Sequence, residues 1–122
     1  MIILRKKEVK RLCKGLSNRE FACKCSYPHC QMTLVSKALI KAYDNFRSLV
    51  GVRLIINSGY RCPQHNFDSQ GKPCSQHQAG RAIDISRKSI SHLSEEEIDH
   101  ALKLSGFTFT KFYKTFIHAD VR

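Results

Sequence analysis

Two histidines and an aspartate carry the strongest chemical signal in this sequence of 122 residues. His77 and Asp84 are seven positions apart, and Gly80 between them permits a tight backbone turn. His118 lies in a short apolar segment whose alternation predicts a strand with His118 and Asp120 on one face. Two imidazoles and one carboxylate leave a fourth coordination position for water, which is the arrangement of a catalytic zinc. The pattern predicts a zinc centre formed by His77, Asp84 and His118.

Each of these three residues has a simpler interpretation when it is taken alone. His77 is typical of a solvated loop histidine, and His118, beside apolar neighbours, is typical of a hydrogen-bonded core histidine. Asp84 lies inside an apolar run, where an unpaired carboxylate is costly, and Arg61 or Arg81 would be its ion-pair partner. The zinc prediction therefore depends on the three residues as a set.

The cysteines form a second group of candidate metal ligands: Cys13, Cys23, Cys25, Cys30, Cys62 and Cys74. Three of them cluster within residues 23–30 beside His29, and thiolates are soft ligands that suit a structural zinc. The spacing differs from the usual CxxC, so buried free thiols are an equal alternative. In an oxidising compartment, Cys62 and Cys74 would instead pair in a disulfide. A second, cysteine-bound zinc is thus left open.

Capping and periodicity predict the helices that must support these residues. Apolar residues recur at helical spacing over residues 33–50, and Gly51 provides the stop. Ser94 opens a second helix through a capping box, and Gly106 ends it. A further capping box at Ser17 begins a short helical turn.

The strands are predicted from runs of β-branched and aromatic residues. One run covers residues 52–56, another covers 81–85, and residues 107–122 are predicted to form two strands or a hairpin. Residues 60–80 are polar and contain Pro63, which predicts a surface loop with one helical turn. The order helix, strand, loop, strand, helix, hairpin predicts an α+β fold.

The length of the chain indicates the number of domains, and its net charge indicates the kind of partner. The length favours a single domain over residues 1–122, with residues 1–16 as a basic N-terminal segment. Twenty-one Lys and Arg against ten Asp and Glu give a net charge of +11, which favours an anionic partner. A nucleic-acid binder that uses the basic residues 5–14 is one alternative, but no recognised nucleic-acid motif accompanies them, so no specific nucleic acid is expected. We also expect a monomer.

The opening residues do not resemble a targeting segment. Arg5 interrupts the initial apolar residues too early for a signal peptide, and no apolar run is long enough to span a membrane. We therefore expect a protein that is made in the cytoplasm without a signal peptide and does not insert into membranes.

Three motifs resemble those of the zinc D-Ala-D-Ala carboxypeptidase and murein endopeptidase family. They are SGYR at residues 58–61, SxHxxGxAxD at 75–84 and HxD at 118–120. The similarity covers residues 17–122, and phage and prophage members share the stretch at 61–66. The resemblance implies a hedgehog/DD-peptidase fold, in which a small antiparallel sheet is flanked by helices. It also implies zinc ligation by His77, Asp84 and His118.

The resemblance further implies which residues meet the substrate. Arg61 falls on the arginine that binds and polarises the scissile carbonyl, a role suited to a guanidinium that stays charged. Ser75 is expected to reach the substrate's terminal group, or alternatively to fix its own loop. Asn66 is expected to contact the substrate as well.

The catalytic base is the point at which this sequence departs from the family. Relatives carry a carboxylate three residues before the last zinc ligand or a histidine two residues before it, and Thr115 and Phe116 occupy those positions here. Asp120 shares the strand face of His118 and is our candidate base for activating the zinc-bound water. The alternative is that Asp120 orients His118 through its other ring nitrogen.

Together these features predict a zinc-dependent peptidase that hydrolyses amide bonds in peptidoglycan stem peptides or cross-bridges. It would act as a carboxypeptidase or an endopeptidase, with a zinc-activated water attacking the scissile carbonyl. The resemblance implies a phage or prophage context, in which another factor releases the protein to the cell wall. The alternative is a catalytically inactive, metal-holding module that binds the cell wall or a protein, which the missing base favours.

Overall fold

The computed structural model describes all 122 residues as a small α+β protein with short antiparallel sheets. The helices are α1 (Asn18–Phe21), α2 (Lys37–Val50), α3 (Pro63–Asp68) and α4 (Glu95–Ser105). The strands are β1 (Ile2–Arg5), β2 (Arg11–Cys13), β3 (Leu16–Ser17), β4 (Met32–Val35), β5 (Ile56–Ser58), β6 (Ala82–Ser86), β7 (Phe109–Phe112) and β8 (Phe116–Asp120). No helix is both long enough and apolar enough to cross a bilayer.

The largest sheet has four antiparallel strands in the order β5-β6-β8-β7. Because side chains alternate along a strand, Ile83 and Ile85 of β6 enter the core while Asp84 between them points to the opposite face. On β8, Ile117 belongs to the same core, and the polar residues alternate with it in the same way. The alternation therefore brings the polar residues of two adjacent strands to one face of the sheet.

Helices α2 and α4 pack against each other and contribute to the core behind that face. The side chain of Ser36 caps α2 by accepting a hydrogen bond from the Leu39 amide, and α2 ends at Gly51. Ser94 forms the predicted capping box at the start of α4. The predicted end of α2 at Gly51, the predicted start of α4 at Ser94 and the predicted hairpin at the C-terminus are confirmed.

Two strand predictions differ from the structure. The pattern predicts that the long helix starts at residue 33, but residues 33–35 lie in β4, which pairs with β1. The predicted strand at 52–56 begins only at Ile56, because the register with β6 starts there. The basic residues 1–16 are part of the fold, since they contain both β1 and β2.

Candidate active site

The register of β6 and β8 places two of the predicted ligands directly opposite each other. Asp84 pairs with His118 across the two strands, and their side chains share the face away from the core. His77 comes from the turn before β6, which Gly80 makes with a φ of 71°. A side chain at Gly80 would also approach the Leu34 carbonyl oxygen to 2.3 Å, so glycine is required there.

The three predicted metal ligands converge through one atom each. His77 Nε2 and His118 Nδ1 both lie 3.1 Å from Asp84 Oδ1. The two ring nitrogens are 3.3 Å apart. A tetrahedral zinc with bonds of about 2.0–2.2 Å places its ligand atoms roughly 3.3–3.6 Å from one another. The observed triangle is slightly smaller than three of the four positions of such a zinc, and the fourth position is open to the cleft.

The outer nitrogens of both imidazoles fix which nitrogen faces the centre. His77 Nδ1 lies 2.8 Å from the Gly59 carbonyl oxygen, which only accepts, so Nδ1 carries the proton. His118 Nε2 lies 2.8 Å from Asp120 Oδ2 and donates to that carboxylate. In the neutral imidazoles, two nitrogen lone pairs therefore face a carboxylate oxygen. Three acceptors directed at one another repel unless a cation or a proton lies between them.

Electrostatics at the centre are consistent with this need for a cation. Burial raises the pKa of Asp84, but hydrogen bonds with His118 and His77 outweigh it and lower the pKa to about 2. Burial lowers the pKa of His118, while the facing carboxylates of Asp84 and Asp120 raise it by more. In metal-free protein at a pH below this raised pKa, a proton on His118 takes the place of a cation.

Metal-free protein is expected to lose stability as the pH rises through the pKa of His118. The folded pKa lies above the ordinary value of 6.5, so the contribution of the imidazolium is fully present below 6.5 and is lost above the raised pKa. Thermal unfolding of chelator-treated protein over this pH range measures the loss. His118→Gln, which does not titrate, should lack it, and an equal decline in both proteins would contradict the assignment.

Arg61 lies beside the centre at the edge of the cleft. Its Nη2 donates to Asp84 Oδ2 at 3.2 Å, and its Nε donates to Ser58 Oγ at 3.1 Å. The cleft has a volume of about 470 Å³, and its lining includes three further cations, Lys72, Lys111 and Arg122. Asp84 is the one carboxylate among the lining residues. The cleft is therefore positively charged and suited to an anionic substrate group.

Asp120 lies behind His118, where it is held by several hydrogen bonds. Its side chain is fully buried, and Arg122 donates to it from Nε at 2.9 Å and from Nη2 at 2.8 Å. It contacts the His118 nitrogen that points away from Asp84 and His77. Of the two roles left open by the sequence, this placement favours orientation of His118 over proton transfer from a water at the centre.

Asn66 in α3 and Ser75 in the loop that follows α3 are hydrogen-bonded to each other beside the cleft. Asn66 is only 3% exposed, and its side chain donates to the Lys72 carbonyl at 2.9 Å. Ser75 Oγ donates to Asn66 Oδ1 at 3.1 Å. These contacts favour a structural role for Asn66 in fixing the loop, in place of the predicted substrate contact. Ser75 also lines the cleft.

A comparison with protein families adds independent evidence to this geometry. The model of the family described as Peptidase M15 matches residues 14–120. The chain belongs to the Peptidase M15 family. M15 peptidases are zinc-dependent, which supports a metallopeptidase and the interpretation of the His77, Asp84 and His118 cluster as a metal centre. A comparison with curated proteins found no match.

Two contributors to this M15 site were missed in the sequence. The Gly59 carbonyl, which orients His77, is a backbone group and carries no side-chain signal. A side chain at Gly59 would come within 2.5 Å of the Phe21 carbonyl oxygen, so the glycine of SGYR allows this close approach. Arg122 donates hydrogen bonds to the Asp120 carboxylate, and its position two residues after the HxD motif was the one signal for this role in the sequence.

Proposed function

We propose that this M15 protein is a zinc-dependent peptidase that hydrolyses amide bonds in peptidoglycan stem peptides or cross-bridges. The observation that carries the proposal is the convergence of two imidazole lone pairs and a carboxylate oxygen within 3.1–3.3 Å of one another. A zinc ion held by these atoms would supply Lewis acidity and activate water as a nucleophile near neutral pH. The donor set, two nitrogens and one oxygen, is typical of catalytic zinc with an open fourth position.

Arg61 would bind and polarise the scissile carbonyl. Two of its nitrogens are fixed by Asp84 and Ser58, so the guanidinium is oriented before substrate arrives. Its position at the cleft edge suits stabilisation of the negative charge that develops on the carbonyl oxygen. Because the guanidinium cannot lose its proton, this positive charge persists at every working pH.

The cations of the cleft support a substrate that carries carboxylates. Lys72, Lys111 and Arg122 line it together with Arg61, and stem peptides present carboxylate groups at such a surface. The net charge of +11 would further attract the protein to an anionic wall polymer.

We further propose that the chain has a hedgehog/DD-peptidase fold and is a single-domain monomer. We also propose a phage or prophage role, in which another factor releases the protein to the wall.

We assign Asp120 to positioning of His118, and Asp120→Asn tests this. An amide accepts the His118 N–H more weakly, so the affinity for zinc should fall by roughly 10–100-fold. Competition against a chromophoric chelator measures that affinity, and Asp44→Asn, at an exposed carboxylate, is the matched control. If Asp120 were instead the base, zinc affinity would be unchanged, and kcat at saturating zinc would fall alone.

Digestion of purified peptidoglycan tests the proposed function as a whole. We expect the protein to release peptide fragments or amino acids in a chelator-sensitive manner, and mass spectrometry of the products identifies the bond. His118→Ala should release far less product than wild type. No release by wild-type protein that is shown to contain zinc would contradict a peptidase of this specificity.

One observation favours a second candidate, the inactive metal-holding module. Thr115 and Phe116 occupy the positions of the family's base, and the cleft offers no carboxylate besides Asp84. Such a module would bind the cell wall or a protein without cleaving it. Cosedimentation with insoluble peptidoglycan in the absence of product release would favour this candidate.

A further inference from the structure

A second cluster of metal-ligating side chains lies outside the cleft. Its members are four cysteines: Cys23, Cys25, Cys30 and Cys62. Their sulfur atoms all lie within 4.8 Å of one another, and those of Cys25 and Cys62 are 3.7 Å apart. A tetrahedral zinc with thiolate bonds of about 2.3 Å separates its sulfurs by about 3.8 Å. The cluster therefore has nearly the dimensions of a four-cysteine metal site.

The fourth ligand is one that sequence spacing did not indicate. His29, which adjoins Cys30, is exposed and stacks on Tyr27 with ring centroids 5.2 Å apart. Cys62 instead reaches the cluster from the N-cap of α3, and it contacts Cys25 across 37 residues of sequence. Cys74, the other half of the disulfide alternative, is exposed and lies outside the cluster.

Hydrogen-bond donors surround the cluster sulfurs. The Cys62 amide donates to Cys23 Sγ at 3.4 Å, and the His65 amide donates to Cys62 Sγ at 3.4 Å. Lys6 Nζ lies 3.5 Å from Cys25 Sγ and donates to the Cys25 carbonyl at 2.8 Å. Amide and ammonium donors of this kind stabilise negative charge on metal-bound thiolates. All four cysteines are free in the structure, so no disulfide competes for the sulfurs.

We propose that Cys23, Cys25, Cys30 and Cys62 bind a structural zinc ion. Four thiolates complete a tetrahedral coordination shell, which leaves no open position for water or substrate and so suits a structural site. Soft thiolate ligands select zinc over the hard cations magnesium and calcium. This proposal stands apart from the peptidase function, since it involves none of the cleft ligands.

The position of the site explains what the ion would stabilise. Cys62 directly follows Arg61, and the neighbouring Tyr60 amide donates to the Phe21 carbonyl at 2.7 Å. Lys6 connects the cluster to β1 at the N-terminus. A bound zinc would thus join the segment after α1 to the loop that carries Arg61, and the hydrogen bond from Lys6 would extend this link to the end of β1. Binding free energy at such a site contributes directly to folding.

Cobalt substitution tests the proposal without relying on activity. Reduced, metal-free protein titrated with Co²⁺ should develop thiolate-to-cobalt charge-transfer absorption in the near ultraviolet, saturating at one equivalent of thiolate-bound cobalt per chain. This absorption should persist in His118→Ala, which lacks a cleft ligand, and in the matched control Cys74→Ser. It should disappear in Cys25→Ser, whose protein should contain one zinc fewer than wild type.

Several outcomes would overturn the four-cysteine site. These are the absence of thiolate charge transfer in wild-type protein, its full retention in Cys25→Ser, or disulfides among the four cysteines found by mass spectrometry under non-reducing conditions. If Cys25→Ser does not fold, the wild-type titration still decides the matter. Cobalt–thiolate absorption without peptidoglycan cleavage would support this site while contradicting the proposed function, so the two failures are distinguishable.

Discussion

Replacing His118 by alanine is expected to lower kcat/KM for a peptidoglycan stem peptide by about a thousandfold or more, equivalent to about 4 kcal/mol of transition-state stabilisation. The imidazole supplies one of only three atoms that converge on the centre, 3.1 Å from Asp84 Oδ1. With that atom removed, His77 and Asp84 alone hold a metal weakly and in no fixed geometry. Kinetics with defined peptides and zinc analysis of the same samples measure both consequences.

His92→Ala provides the matched control for this substitution. His92 is exposed and lies away from the cleft, so its removal should leave both kcat/KM and zinc content near the wild-type values. Thermal unfolding of both variants, each loaded with zinc, separates a lost ligand from a lost fold. Activity of folded His118→Ala within tenfold of wild type would contradict the assignment of His118 as a zinc ligand.

Replacing Arg61 by alanine is expected to lower kcat by roughly 100–1,000-fold while the metal is retained. The guanidinium would act on charge that develops only in the transition state, so kcat should change more than KM. Arg61→Lys should recover little, because the single nitrogen of an ammonium cannot reproduce the planar fork in which Nε binds Ser58 and Nη2 binds Asp84. Steady-state kinetics at saturating zinc measure these effects.

The exposed residue Arg53 offers the matched control for charge. Arg53→Ala removes one positive charge from the surface without touching the cleft, so kcat should be unchanged. If Arg61→Ala raised KM and left kcat unchanged, Arg61 would bind the ground state and the transition state equally, which would contradict its proposed role.

Local signals in the sequence predicted those parts of the fold that depend on neighbours in the chain. Ser94 and Gly51 mark helix ends through hydrogen bonds to residues within one turn, so capping rules locate them. The alternation around Asp84 likewise predicted the strand face that it occupies, and the alternation around His118 predicted the face that it shares with Asp120. The register that sets Asp84 opposite His118 depends on the pairing of β6 with β8, which the alternation within each strand does not determine.

Features that depend on distant pairing could not be predicted in the same way. The residues of β4 fit helical spacing, and only their pairing with β1 makes them a strand. Cys62 contacts Cys25 across 37 residues, so no spacing rule links it to the 23–30 cluster. The orientation of Asp120 away from the centre depends on Arg122 and on the His118 ring, which the strand pattern alone does not determine.

Anomalous diffraction at the zinc absorption edge, from crystals of protein purified without chelator, tests the metal centre most directly. We expect an anomalous peak bounded by His77 Nε2, Asp84 Oδ1 and His118 Nδ1, at about 2.0–2.2 Å from each atom. The His118→Ala crystal should lack this peak. Wild-type density in which these three side chains bond only to one another, with no anomalous peak between them after zinc soaking, would contradict the metal centre and the peptidase function built on it.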